Sequence, residues 1–188
     1  AGDGRLLAEY AIEKRVFVPI RAMPRRVVNA FLAAEDKNFY SHPGIDFTSV
    51  LRAIVVNIKN IGRGRRMVGA STITQQVAKN FLLTNEVSWE RKVKEAILAF
   101  RMERAFSKSR ILELYLNEIY LGFRSYGVAA AALNYFDKSL DELSIAEAGF
   151  LAALPKAPNN YNPVKHPGAA RVRRGWGLGQ VAKDEFIT

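Results

Sequence analysis

Val27-Val28-Asn29-Ala30-Phe31-Leu32-Ala33-Ala34-Glu35-Asp36 and then Lys37-Asn38-Phe39-Tyr40-Ser41-His42-Pro43-Gly44 form the stretch on which the fold turns. It is an apolar helical pattern that ends on two carboxylates. An aromatic pair, a histidine and a Pro-Gly turn follow. Val28, Phe31, Leu32 and Glu35 recur at helical spacing and share one face. Pro24 supplies the favoured first-turn residue, so the helix opens at about Arg25. Glu35 then sits in the last turn of an apolar stripe, where a leucine would be expected. Partial desolvation disfavours a charged carboxylate and raises its pKa. A carboxyl poised near neutrality suits general acid–base chemistry. The competing reading of Glu35 is a helix-end glutamate that swings into water.

Outward from this helix the pattern stays helical. Ala1 to Ile20 reads as extended, with Arg5–Tyr10 and Arg15–Val18 as a weak hairpin. Phe47, Val50, Leu51, Ile54, Val55, Ile58 and Ile61 repeat at offsets of three and four, followed by the basic Gly62-Arg63-Gly64-Arg65-Arg66. Such a helix is either buried in a core or laid on a lipid surface with arginines at headgroup level. Ile73, Val77 and Phe81 make a seam, with Thr72, Gln75, Gln76 and Lys79 as a polar face; Thr72 with Gln75, or Ser71, caps the start. Ser88 caps a helix to about Phe106. Trp89, Val93, Ala96, Ile97 and Phe100 read as its core seam, and Leu98 and Met102 make it apolar almost all round, so it is expected to be buried. After Ser107, Ile111, Leu112, Tyr115, Leu116 and Ile119 are core, with Glu113 and Asn117 opposite. A small-residue helix spans Gly127–Phe136. Ser144 and Glu147 form a capping box on a helix that Pro155 stops, and a basic, glycine-weakened helix covers Ala169–Ala182. The class is mostly α.

The chain has 188 residues, no cysteine and a net charge of +10. That length suits one domain, or one domain of two lobes. Without cysteine there is no disulfide framework, thiolate metal site or cysteine nucleophile. The charge favours phosphate-bearing partners: nucleic acid, anionic lipid or a pyrophosphate substrate. No apolar run reaches the roughly 18 residues of a membrane span. The ends, Ala1 and Thr188, read as those of a piece cut from a longer chain. Two histidines, His42 and His166, are too few for a metal site, and His42 reads as a turn residue. Glu35 and Glu95 stand on different helices, each at the rim of an apolar face. Paired carboxylates serve chemistry at an anomeric carbon, and Lys79, Arg91 and Lys94 could stabilise a phosphate leaving group. Together they point to glycosyl transfer from a phosphate-activated sugar.

Four blocks occur in order: Glu-Asp-x-x-Phe-x-x-His-x-Gly (35–44), Gly-Ala-Ser-Thr-Ile-Thr-Gln-Gln-x-x-Lys-Asn (69–80), Arg-Lys-x-x-Glu-Ala (91–96) and Ile-Leu-Glu-x-Tyr-Leu-Asn-x-x-Tyr-x-Gly (111–122). With Leu-Pro-Lys-Ala-Pro (154–158), the chain resembles the peptidoglycan glycosyltransferase domain of class A penicillin-binding proteins (glycosyltransferase family 51) from about Gly4 to its end. The resemblance implies a lysozyme-like α-helical fold, a head lobe with a smaller membrane-facing jaw at about 47–68. The whole of 1–188 would be this one domain. It implies polymerisation of lipid II into β-1,4-linked glycan strands, with inversion and release of undecaprenyl pyrophosphate, in cell-wall biogenesis. The implied place is the periplasmic face of the bacterial inner membrane, behind an upstream transmembrane anchor. Glu35 would be the base on the acceptor 4-hydroxyl, and Glu95 would organise the pyrophosphate side. A divalent metal (Mg or Mn) near Glu95 is left open. Ser71, Gln75, Gln76, Lys79, Arg91 and Lys94 match binding positions, and Phe39 the aromatic near the base. Lipid II, the growing lipid-linked strand and moenomycin-type phosphoglycolipids are the implied ligands, with no nucleic acid.

Three departures bear on this. Val87 stands where the family often has an arginine, so Arg101 or Arg104 is a candidate replacement cation. Asn38 replaces a frequent arginine. No Ser-x-x-Lys occurs, so no transpeptidase half is expected in this chain. Two rivals remain at this stage. A lysozyme-like hydrolase would use a buried Glu without needing the cation cluster or a jaw. A basic nucleic-acid module would explain the charge, yet would want aromatics among the arginines of 63–66.

Overall fold

The computed structural model describes residues 14–62, 64, 68–82, 88–158, 160–161 and 166–183. Among these the elements run β1 (Lys14–Arg15), α1 (Arg25–Glu35), α2 (Phe47–Asn60), α3 (Ile73–Leu82), α4 (Trp89–Ala105), α5 (Lys108–Glu118), β2 (Ser125–Tyr126), α6 (Val128–Phe136), α7 (Ile145–Ala153) and α8 (Pro167–Lys183). The protein is mostly helical, as its periodicity predicts. The residues 5–10, offered as one arm of an N-terminal hairpin, lie outside the described residues. From the other arm, Arg15 lies with Lys14 in a strand that runs parallel to Ser125–Tyr126.

The core gathers α1, α3, α5, α6 and α7. Val27 and Phe31 from α1, Ile73 and Val77 from α3, and Ile111, Leu112, Tyr115 and Leu116 from α5 are buried in one cluster with Leu151 and Leu154. α1 lies on α7 and α8, α3 on α4 and α5, and α7 on α8. Small residues let the last pair approach closely. A Cβ on Gly177 would stand 2.4 Å from the Gly149 carbonyl oxygen, so glycine is what permits this helix crossing. Glu113 and Asn117 are not solvent-facing. Asn117 accepts from the Val18 N–H at 2.8 Å and Glu113 from the Ile20 N–H at 2.7 Å. The two buried acceptors pin the extended 16–20 segment onto α5, because a buried polar group must find a partner.

α4 corrects the sequence reading. Trp89, Val93, Ile97 and Phe100, expected as its core seam, are exposed, and Trp89 is 89% exposed. The buried face carries Glu95, Ala99 and Met102. Periodicity reports that an apolar face exists, not what covers it. Here Gly44, at φ +97°, is the residue that lets α4 approach the body: a Cβ on it would lie 3.0 Å from the Ala99 carbonyl oxygen. α2 is likewise not a core helix. It buries only Ala53, while Phe47, Leu51, Ile54, Val55, Ile58 and Ile61 are all exposed. Asp46 caps it, accepting from the Ser49 N–H at 3.0 Å. Bonds from Ser49 and Asn38 to that carboxylate outweigh its desolvation and hold its pKa far below the usual carboxylate range. Arg63, Arg65 and Arg66 lie outside the described residues.

Candidate active site

Glu35 is delivered by the way α1 ends. Asp36 leaves the helix at φ −160° and ψ 74° and turns its carboxylate inward. There it accepts from the Ile73 N–H at 3.0 Å, at the first residue of α3, and from His42 Nε2 at 2.9 Å. His42 Nδ1 in turn accepts from the Gly44 N–H at 3.2 Å, which fixes the tautomer with the proton on Nε2. His42 is therefore part of the turn's frame, as its place in the Pro-Gly turn suggested. The α1 C-terminus is thus bolted to the α3 N-terminus, and Glu35 faces Gln76 one turn into α3. Gln76 Nε2 donates to Glu35 Oε2 at 2.8 Å. The Thr72–Gln75 capping box forms in both directions, with bonds of 3.1 and 3.2 Å, so the amide oxygen of Gln75 is committed to the helix start.

Glu35 lines a cleft of about 600 Å³ whose walls also carry Ser71, Gln75, Gln76, Lys79, Arg91 and Glu95. Seven of the nine residues singled out from the sequence meet there. A smaller cavity of about 120 Å³ adjoins Glu35 on its Asp36, Ser49 and Arg52 side. Burial raises the Glu35 pKa above the ordinary carboxylate value, and the Asp36 charge adds to the rise. The Gln76 bond and the charges of Arg173 and Lys156 oppose it, without reversing it. Beneath, Tyr115 is fully buried and its hydroxyl has no hydrogen-bond partner among the described residues. Burial first, and then the negative charges of Glu35 and Asp36, keep its proton firmly bound.

Glu95, 2% exposed, meets Lys92 Nζ at 2.6 Å and Arg91 Nε at 3.3 Å. The Arg91 contact lacks hydrogen-bond alignment, leaving Arg91 Nε and Glu95 Oε1 buried and unsatisfied. Lys92 also donates to Ser71 Oγ at 2.9 Å, tying α4 to the residues ahead of α3. Across the cleft five cations (Arg52, Lys79, Arg91, Lys92 and Lys156) face two carboxylates. The donor set does not suit a resident metal at Glu95. Both of its oxygens are faced by cationic side chains, and the described residues hold no cluster of three metal-ligating groups. No step is derived through a metal.

Two sequence choices are not in the cleft. Lys94 is exposed and does not line it; Lys92 does. On a helix Lys92 lies about 60° from Glu95 and Lys94 about 100°, so the Arg-Lys-x-x-Glu spacing already held the signal. Phe39 is fully buried, packed edge-on to Tyr40 and His42 with Lys108 Nζ 4.5 Å above its ring. It supports the turn that follows Glu35. Val87 lies outside the described residues. Arg101 does not line the cleft, and Arg104 lies over Phe100 in a groove on the outer side of α4; neither takes the place of the missing arginine. Arg52, Lys156 and Trp176 line the cleft and were not singled out. Lys156 sits inside the quoted Leu-Pro-Lys-Ala-Pro block, whereas nothing in the local pattern marks Arg52 or Trp176.

The sequence profile of the transglycosylase family matches residues 3–182. The chain belongs to the transglycosylase family. It is 56% identical over 186 residues to penicillin-binding protein 1A of Rickettsia felis and 52% identical over 185 residues to that of Aquifex aeolicus. These alignments cover 99% and 98% of this chain but 24% and 25% of the relatives. The fold resembles the crystal structure of penicillin-binding protein 1A from Haemophilus influenzae, with TM-score 0.55 and 28% identity over 99% of this chain and 18% of that one. The chain thus spans about a quarter of the length of the relatives it matches. It is a transglycosylase domain, and its cleft sets a carboxylate whose pKa is raised by burial opposite a cluster of cations.

Proposed function

We propose that this domain polymerises lipid II, with Glu35 as base and the Lys79–Arg91–Lys92 group receiving the pyrophosphate. The observation that carries the reading is that one cleft holds both a partly buried Glu35 and cations in excess over carboxylates. Glu35 takes the proton from the acceptor sugar's 4-hydroxyl. That oxygen forms the new bond to the donor's anomeric carbon from the face opposite the leaving group. The bond between C1 and the phosphate oxygen breaks, and undecaprenyl pyrophosphate departs with the electron pair. Inversion of an α-linked donor gives the β-1,4 bond. Gln76 orients the Glu35 carboxylate and leaves its other oxygen for the hydroxyl. Glu95 holds Arg91 and Lys92 in place, where their charge offsets the negative charge of the leaving group. A moenomycin-type phosphoglycolipid presents the same phosphate and would compete for these cations.

The lipid tail needs a membrane surface beside the cleft. The exposed apolar residues of α2, within the 47–68 jaw, and the exposed Trp89–Val93–Ile97–Phe100 stripe of α4 support such a surface. No helix among the described residues is long and apolar enough to cross a membrane. The place of action we propose is the periplasmic face of the bacterial inner membrane.

Incubation with purified lipid II in detergent, with products resolved by gel, tests the function. Long glycan polymer and released undecaprenyl pyrophosphate are expected. Short fragments carrying new reducing ends would replace this reading with a hydrolase, and intact lipid II under all detergent and metal conditions would contradict it.

A further inference from the structure

We infer that Trp176 is a sugar-stacking platform in the cleft, its ring fixed from behind by Arg173 and its free face offered to the acceptor pyranose. This rests on the glycosyl-transfer reading of the cleft. Trp176 is 39% exposed and lines the cleft with Glu35, Pro155 and Lys156. The Arg173 guanidinium carbon stands 3.8 Å from the ring centroid. Arg173 is itself buried, 7% exposed, and its Nε donates to the Ala153 carbonyl at 2.7 Å. One face of the indole is therefore held by an anchored cation, a favourable arrangement over an aromatic ring. The next residue, Gly177, makes the close contact with Gly149 that presses α8 onto α7. The backbone under the ring is thus as constrained as the ring.

The helix does not need this tryptophan for packing. Among its described residues the buried ones are Ala170, Arg173 and Gly177. A half-exposed indole in a polar cleft exposes apolar area to water, which a ligand with an apolar face would relieve. A pyranose is such a ligand: one face is a patch of C–H bonds, while its hydroxyls radiate at the edge. Lys156 and Gln76 line the same cleft and can take those hydroxyls. The assignment to the acceptor follows from the walls. α8 packs on α1, which carries Glu35, whereas the pyrophosphate cations Arg91 and Lys92 stand on α4.

The test uses Trp176→Ala and Trp176→Phe. A soluble GlcNAc–MurNAc tetrasaccharide without lipid should change the indole emission of the wild type saturably, and should leave Trp176→Phe, whose remaining indole is the outward Trp89, unchanged. In lipid II polymerisation Trp176→Ala should raise KM roughly tenfold with kcat changed less than about threefold, and Trp176→Phe should restore KM to within about threefold. An equal emission response in Trp176→Phe, or an unaltered KM in Trp176→Ala beside an active wild type, would overturn the inference. A wild type that binds the tetrasaccharide through Trp176 yet makes no polymer would uphold the platform and overturn the polymerase reading instead.

Discussion

At the residue scale the account turns on the protonation of Glu35. A base works deprotonated, and this carboxyl's pKa is raised by burial. The acidic limb of kcat/KM should therefore lie above the ordinary carboxylate value of 4.5, with activity falling as pH drops through it. Gln76→Leu removes the bond that opposes the rise, so a pH–rate profile of that variant should show the limb at still higher pH. A limb unmoved by Gln76→Leu would dissociate the amide from the base. The same shift has a stability consequence. The folded state binds the Glu35 proton more tightly than the unfolded chain, so stability declines as pH rises from 4.5 through the folded pKa, and the deficit persists above it. Glu35→Gln should raise the melting temperature at neutral pH, by roughly 2–4 °C if about 1 kcal/mol is relieved, while abolishing activity. Glu35 was legible because a carboxylate interrupts an apolar stripe. Trp176 and Arg52 were not, because they reach the cleft from α8 and α2, distant in sequence, and only tertiary packing brings them there.

At the element scale the site depends on where helices start and stop. The α1 C-terminus and α3 N-terminus share the Asp36 carboxylate, and the Thr72–Gln75 box completes the α3 start. Thr72→Val also loses the bond to the Gly44 carbonyl, and should cost about 1–2 kcal/mol, read from the urea midpoint. The α7–α8 contact is less forgiving. Gly177→Ala sets a methyl 2.4 Å from the Gly149 oxygen, so α8 must shift and carry Trp176 and Arg173 with it. A loss of about 2 kcal/mol or more in urea unfolding, together with reduced kcat/KM, is expected. Caps and helix bounds were read closely from sequence, because an N-cap is a local device: Ser88, Ser107 and Ser144 each accept from the N–H three residues on. The fate of the α4 apolar seam was not local. Whether Trp89, Val93 and Ile97 meet core or solvent depends on the opposite face, where Ala99 and Met102 make the packing contact.

At the scale of the whole molecule a basic body carries two exposed apolar stripes, on α2 and α4, beside the cleft proposed to take a lipid-linked substrate. Replacing Leu51 and Ile58, 64% and 62% exposed, by glutamate should leave the melting temperature within a few degrees. It should weaken sedimentation with vesicles containing phosphatidylglycerol by tenfold or more, because two apolar contacts are lost and two like charges are added. Raising salt should weaken the wild type's binding in proportion to the electrostatic share of its +10 charge. If the double variant sediments as well as the wild type, the α2 face does not meet lipid. Composition had shown this charge, and the apolar repeat of 47–61 had left core and lipid as alternatives. The assembled fold removes the core reading, since α2 buries only Ala53; contact with lipid is what the vesicle experiment tests.

The most direct test of Glu35 as the base is the single-turnover rate of glycan bond formation from lipid II in Glu35→Gln beside the wild type, with lipid II affinity measured in parallel. A fall of roughly a thousandfold or more in rate, with affinity within about threefold, is the predicted result, since a positioned base contributes about 10²–10⁴-fold. Bond formation within tenfold of the wild type would place the base elsewhere in the cleft.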